Sequence, residues 1–208
     1  MDRIDRCLRK IGFSSLNYSE TLLTIRYNNV DNTIPFGVLY RKGLLYGRIY
    51  HGSRMYDYLK SNVSHATICV SSNPLLYYYA VFDKSRLKYM YRSVSGLDYP
   101  LIDGCEAYIY CTVYKRIVRR DRVNVWFKPV EVEVEHRYPR VFNRGLYAIV
   151  EALVYYTKLE YVSNSDRLKY VKYIEQCRES VYRSCKSKRL RRVIDHIYKS
   201  TLEKLKGF

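Results

Sequence analysis

Histidine, tryptophan, proline and glycine are scarce in this chain of 208 residues, at four, one, five and nine copies. No two histidines stand at metal-ligand spacing, and none of the six cysteines belongs to a C-x-x-C pair, which argues against a zinc site. A G-x-S-x-G elbow is missing, so a nucleophilic serine has no support. A P-loop and a G-x-G-x-x-G turn are missing too, which removes the common ATP and dinucleotide sites. No apolar run approaches the roughly 20 residues that a membrane-spanning helix needs. The opening MDRIDRCLRKIGF interleaves charge with apolar residues, unlike a signal peptide. The expectation is a cytoplasmic protein. There is no internal repeat and no low-complexity tract.

What is present is a globular composition, 48% hydrophobic and 27% charged. A chain of this size can bury a core without disulfides. Cys69, Cys105 and Cys111 lie in apolar, strand-like runs and read as small buried hydrophobes in a reducing compartment. The net charge is +17, and there are 25 tyrosines. A basic, tyrosine-rich chain raises nucleic acid as a partner class. Most of the basic excess falls in the second half. Arg183, Lys186, Lys188, Arg189, Arg191 and Arg192 crowd into residues 183–192. The alternative there is a solvated helix face, since no zinc-finger or RNP1-like pattern accompanies the cluster.

Residues 2–13 place Ile4, Cys7, Leu8 and Ile11 on one helical face. Strands are expected at 20–27, 34–40 and 44–50, with a hairpin turn at Arg41-Lys42-Gly43 and a polar turn over 28–32. Residues 52–62 read as a short helix, 65–72 as a buried strand and 75–82 as a strand or extended run. Residues 84–104 show no clear period and read as loop with helical turns. Strands follow at 106–118 and 122–138, the second broken near Pro129. There, Val130, Val132 and Val134 would form a buried face and Glu131, Glu133 and Glu135 a solvated one, rather than a catalytic carboxylate pair. This is a barrel-like pattern. Three helices are expected after it. The first spans 143–162, with Asn143 as cap and Leu146, Ile149, Val150, Leu153, Val154 and Thr157 as its apolar stripe. The second spans 166–182, capped by Asn164 or Ser165. The third spans 188–207, with Leu190, Val193, Ile194, Ile197, Tyr198 and Leu205 as its stripe and Gly207 as its stop. A β domain of about 140 residues is thus followed by three helices, with a boundary between 140 and 141.

His51, His65, His136 and His196 are isolated and read as structural or surface residues. The informative stretch is 20–59. Pro35 removes a ladder donor and marks an edge or bulge, and Gly37 permits close approach of backbone or ligand. Gly52-Ser53-Arg54 opens the short helix. A helix start, a hydroxyl and a guanidinium together suit a phosphate. The alternative is that Ser53 is an ordinary cap and Arg54 is solvated.

The ordered segments ETLLT, NTIPFGV, GSRMYDYL and SSNPLLYYYAVF, followed by Asn143-Arg144-Gly145 and Ala148-Ile149-Val150-Glu151-Ala152, resemble the archaeal DUF447 family. That family is a branch of the flavin reductase-like FMN-binding split barrels, and the likeness covers most of 19–162. The resemblance implies a β-rich α+β fold. A split β-barrel would occupy residues 1–140, and a C-terminal three-helix region, 141–208, would pack on it. It implies a homodimer with FMN near the subunit interface and an oxidoreductase role without an assignable catalytic acid or base. It places the FMN phosphate at Gly52, Ser53, Arg54 and Tyr56. It places the isoalloxazine against Ile34, Pro35, Phe36 and Gly37, with Thr24 and Asn32 nearby. The chain departs from the family pattern at Met55, where the family has Thr, at Tyr58, where it has Asn, and at Asn73, where it has Asp. The loop 28–32 also lacks the family's glycines. These departures leave open a family member that has lost FMN and serves as a structural dimer, and the basic cluster leaves open a nucleic-acid-binding protein.

Overall fold

The computed structural model describes residues 2–135, 139–159 and 162–205. It forms two compact units. The first holds residues up to Ser15 together with Ser19–Phe142, and the second holds Leu16–Tyr18 with the chain from Asn143 onward.

The first unit is built on a closed antiparallel barrel. Its strands are β1 (Ser19–Tyr27), β2 (Val30–Arg41), β3 (Leu44–Tyr50), β4 (His65–Val70), β7 (Ala107–Val118) and β8 (Arg122–Val134), in the order β1-β2-β3-β8-β7-β4. Pairing of Leu22 with Cys69, Leu23 with Ile68 and Thr24 with Thr67 closes the ring. Tight turns set the registers. Asn28 and Asn29 join β1 to β2, and Lys42 and Gly43 join β2 to β3; all four have positive φ. Two successive residues of this kind match the twist of a hairpin. Val30 therefore begins β2, earlier than the polar composition of 28–32 suggests.

Strand alternation sends Leu23, Ile25, Phe36, Val38, Ile68, Ile109, Val125 and Phe127 into the barrel interior. Leu8 and Ile11 of α1 (Arg3–Ile11) join this core, as do Met55 and Leu59 of α2 (Arg54–Lys60). Phe36 crosses Gly47 closely and meets Phe127 edge-on at 6.1 Å between centroids. The opposite face of β1, β4 and β7 offers Leu22, Cys69, Tyr108 and Tyr110 to a second cluster. Its other members include Ala80 of α3 (Pro74–Phe82) and Tyr99, Leu101 and Ile102 of β6 (Leu97–Ile102), which pairs with β5 (Tyr89–Val94).

Three expectations change here. Residues 75–82 are helical, because Asn73 caps the N–H of Leu75 and Pro74 occupies the first turn, where its missing donor costs nothing. Residues 84–104 are a single 3-10 turn, Lys84–Arg86, followed by the β5–β6 hairpin, whose turn is Ser95-Gly96 with φ of 51° and 78°. The valines of β8 do not share one face. The register slips between Pro129, opposite Cys111, and Glu131, opposite Tyr110. That bulge turns Val130 toward the outer cluster and Val132 toward the barrel core, and leaves Val134 exposed. Glu133 is correspondingly not a bare solvated group: it accepts from Tyr110 and pairs with Arg92.

The second unit contains α4 (Arg144–Lys158), α5 (Asn164–Ser184) and α6 (Lys188–Leu205) around Ala152, Ile174, Val181, Cys185, Ile194 and Ile197. Asn143 caps α4 through Leu146 N–H at 3.0 Å and donates to the Tyr18 carbonyl. Ser163, rather than Asn164 or Ser165, caps α5, since its hydroxyl accepts from the N–H of Asp166. On α4 the packed side is Gly145, Ala148, Ile149 and Ala152. The stripe expected to be buried is largely exposed, with Val150 at 60%. Small residues let α5 approach: a Cβ on Gly145 would lie 2.4 Å from Ser184 Oγ. Residues 136–138, 160–161 and 206–208 lie outside the described residues. That includes His136, the expected stop Gly207 and the ends of two expected elements.

Gly47→Ala places a Cβ 2.2 Å from the Phe36 ring. The expected cost is about 1–3 kcal/mol, read as a lower urea midpoint at unchanged slope. Asn143→Ala removes a helix cap and is expected to lower stability by about 1–2 kcal/mol in the same assay.

Candidate functional site

The residues singled out on β1, β2 and α2 fall into three environments. Thr24 and Phe36 are buried. The Thr24 hydroxyl shares a hydrogen bond of 2.9 Å with Thr33, its cross-strand partner. The Phe36 side chain points into the barrel core, so only its backbone is available on the outer side. Ile34 and Gly37 are half-buried, and Pro35 is exposed.

The turn before α2 forms the second environment. Gly52 is exposed with φ of +90°. The Ser53 hydroxyl accepts from Tyr56 N–H and donates to the Tyr50 carbonyl, each at 3.2 Å. Tyr56 donates its hydroxyl to the Arg119 carbonyl at 3.1 Å. Ser53 and Tyr56 are therefore committed to holding the helix start, and the free donors of this segment belong to Arg54. Arg54 is exposed and forms no ion pair among the described residues. Met55 and Tyr58 are core residues, the Tyr58 ring meeting that of Tyr27 at a tilt, 5.2 Å between centroids. Their departure from the family pattern reflects packing. Met55 is fully buried, while the edge of Tyr58 reaches a cavity beside the helix.

The third environment is polar and at the end of β2. Asn32 is 1% exposed. Its Oδ1 accepts from Lys84 Nζ, delivered by the 3-10 turn, while its Nδ2 is buried without a partner. Lys84 is half-buried and has no acidic partner among the described residues. Burial, and then the nearby Arg54 charge, hold its amine below the ordinary lysine value. Next to Asn32, Asp31 accepts from the Tyr91 hydroxyl and sits 3.8 Å from Arg26, whose guanidinium lies over Tyr91 at 4.7 Å. Asp31 Oδ1 and, on β4, Thr67 Oγ1 are further buried atoms without partners. A cavity of about 460 Å³ adjoins the site, lined by Tyr27, Val30, Arg54, Asp57 and Tyr58.

The structure thus brings Asn32 and Arg54 together through Lys84, a residue the sequence reading did not single out. Its one signal was a lysine following a helix end at Asp83. Thr24 and Phe36 are placed apart from any free surface. A hydrogen bond to Cys69, then burial, pushes the Cys105 thiol up, and burial does the same for Cys111, so neither thiol has a reactive character. In the second unit, Arg183 is paired with Glu179, and Arg191 donates to the carbonyls of Cys185 and Tyr182. Two of the six clustered cations are therefore internally satisfied.

The family model described as protein of unknown function (DUF447) N-terminal domain matches residues 19–136, more than half of the chain. The chain belongs to the DUF447 family. This DUF447 barrel is similar to that of an FMN-bound DUF447 protein from Methanosarcina mazei, at 18% identity over 92% of this chain and 98% of that one, with a TM-score of 0.53. Two further solved structures resemble the DUF447 chain less closely. One is a flavin reductase domain protein from Arthrobacter, at 10% identity over 67% and 94% of the two chains, TM-score 0.49. The other is an NADH:FAD oxidoreductase from Streptomyces globisporus, at 15% identity over 69% and 84%, TM-score 0.48. No curated protein matches the sequence. No described helix is long and apolar enough to cross a membrane.

Because the folded-state amine of Lys84 sits below its ordinary value, its charge opposes folding at pH values under that lowered value. The penalty disappears as pH rises from there toward 10.5. Subtracting the stability curve of Lys84→Met from that of the unmodified protein should leave a term that rises with pH across this window. A flat difference would show that the amine is not perturbed.

Proposed function

We propose that this DUF447 protein binds FMN beside β2 and the start of α2, and that it works as an oxidoreductase of the flavin reductase-like split-barrel class. The observation that carries the reading is the donor set at the end of β2. Two cations, Arg54 and Lys84, lie near each other with no ion pair among the described residues, beside a buried amide Nδ2 that has no partner. Groups of this kind suit a phosphate. The likeness in fold to an FMN-bound DUF447 protein supports the choice of FMN.

Bound FMN would supply the electron-transfer chemistry. The work of this chain is positioning. Arg54 and Lys84 would hold the phosphate, with Gly52 leaving the turn open and Ser53 and Tyr56 fixing its geometry. Backbone groups of Ile34, Pro35, Phe36 and Gly37 would line the ring. Asn32 would orient Lys84 through its Oδ1. Thr24 would act through Thr33, keeping the two strands in register. No side chain here is placed to act as an acid or a base, in keeping with a site whose work is orientation.

The proposal includes a homodimer. Its support is the outer side of α3, where Leu75, Tyr78, Val81 and Phe82 are exposed, Phe82 at 74%. An uncovered apolar face of this kind on a short, uncharged helix is what a self-association surface offers.

The experiment is a visible absorption spectrum of the purified protein before and after adding FMN, with its mass in solution measured on the same sample. A flavin spectrum that survives desalting and a mass twice that of the 24.9 kDa chain are expected. A colourless protein that takes up no FMN would sink the cofactor assignment, and a monomer would remove the dimer.

A further inference from the structure

We propose that the junction of α5 and α6 is a docking surface for the phosphate backbone of duplex DNA. The inference concerns the second unit alone and does not depend on the cofactor reading.

Six cations fall within residues 183–192, and two of them are engaged by the fold. Arg183 pairs with Glu179, and Arg191 holds the carbonyls of Cys185 and Tyr182. The other four, Lys186, Lys188, Arg189 and Arg192, are exposed and form no ion pair among the described residues. Elsewhere on these helices charges are matched. Asp166 answers Lys169, Asp195 answers Arg178 and Glu203 answers Lys199. A face that is merely solvated interleaves both signs, as those turns do. The junction does not. Lys188 and Arg192 stand four residues apart on α6, and Arg189 and Arg192 three, spacings at which like charges repel. The first turn of α6 holds no acid, although the helix dipole disfavours cations there. The arrangement costs stability in the free protein, and a row of anions would remove that cost.

The junction is held in place. Lys186 N–H donates to the Leu16 carbonyl at 2.6 Å, and Arg191 ties the end of α5 to the start of α6. Cations on a fixed backbone lose less freedom on binding than those on a loose tail. The surroundings select among polyanions. The apolar stripe of α6, with Ile194 and Ile197, is turned into the core of the unit and is not available to enter a lipid surface. Single-stranded nucleic acids are held largely by bases stacked on aromatic rings. The ring at the junction, Tyr182, is already engaged. The guanidiniums of Arg178 and Arg191 lie 5.0 and 4.9 Å from its centroid, and its hydroxyl donates to Asp195 at 2.6 Å. Ser187, the one hydroxyl among the four cations, is turned to the Leu190 N–H, so a ribose 2′-hydroxyl finds no reader. What remains is four free cationic groups, suited to the dense, regular phosphates of a DNA duplex. Such contacts carry no information about base sequence.

The test is fluorescence anisotropy of the full chain with a short labelled DNA duplex of arbitrary sequence, across a salt series. Four phosphate contacts per chain predict a log–log salt slope of about −3.6, or a loss of roughly a hundredfold between about 50 and 200 mM salt. A duplex of unrelated sequence should bind equally well. Arg189→Gln and Arg192→Gln should each flatten the slope by about one, and together they should weaken binding by at least about tenfold. Lys169→Gln and Lys199→Gln remove matched cations from the same helices and should leave affinity within about twofold. Thermal unfolding checks that the variants fold. Those at the junction should melt no lower than the parent, since a repulsion is relieved. Should the Arg189/Arg192 pair of changes prevent folding, Lys186→Gln with Lys188→Gln decides by the same criteria.

A parent protein that does not bind the duplex, or binds it with a slope near zero, would overturn the proposal. So would equal losses in the Lys169 and Lys199 variants, which would mark net charge rather than a site. Binding of single-stranded RNA or of phosphatidylserine vesicles in preference to the duplex would overturn it as well, by naming a different partner.

Discussion

The pairing of β1 with β4 is the constraint on which the rest of this structure depends. Leu22, Leu23 and Thr24 on one strand meet Cys69, Ile68 and Thr67 on the other and turn an open sheet into a ring. Closure removes the exposed edges and gives every strand an inside and an outside. Alternate residues then serve two different cores. Leu23 and Ile68 face the barrel interior, while Leu22 and Cys69 face the cluster under α3 and the β5–β6 hairpin. Strands buried on both sides read as continuous apolar runs, as ETLLTIRY and HATICV do.

Closure also concentrates polar groups at the end of β2. There the apolar ring gives way to Asp31, Asn32 and Thr33, and the segment leaving α3 brings Lys84 back across them. The result is a place where burial and charge conflict. Lys84 and Arg54 repel each other, and the amide of Asn32 is left half satisfied. Most of the remaining ionic contacts are exposed pairs such as Lys88 with Asp103, which contribute little to stability. Electrostatics matters most where it is unbalanced, and that is where a ligand can repay it.

Much of the barrel was legible in the residues, because period-two alternation survives wherever one face is buried and the turn chemistry is explicit. Asn28-Asn29 and Lys42-Gly43 mark their hairpins. Ser95-Gly96 marks one as well, yet β5 was hidden because its outer residues, Tyr91, Arg92 and Ser93, interrupt the apolar pattern. The run 75–82 was misread for the opposite reason. It is apolar all round, so no period distinguishes strand from helix, and only the Asn73-Pro74 start carried the information. On α4, hydrophobicity pointed to the wrong side, since close packing against α5 favours Gly145, Ala148 and Ala152 over larger side chains.

The candidate site shows the same division. The sequence by itself determined that the chain has a strand-rich first part and a helical second part, that a Gly-Ser-Arg turn opens a helix, and that the ordered motifs are those of DUF447 proteins. These are local patterns, and local spacing and turn chemistry suffice to specify them. The tertiary structure alone decided that Ser53 and Tyr56 are tied to the turn, that Met55 and Tyr58 belong to the core, and that Lys84 meets Asn32 from 52 residues away in the chain. The reason is physical. A hydrogen bond between distant residues, and a charge left without its partner, depend on how the ring of strands closes, and no short stretch of sequence records that closure.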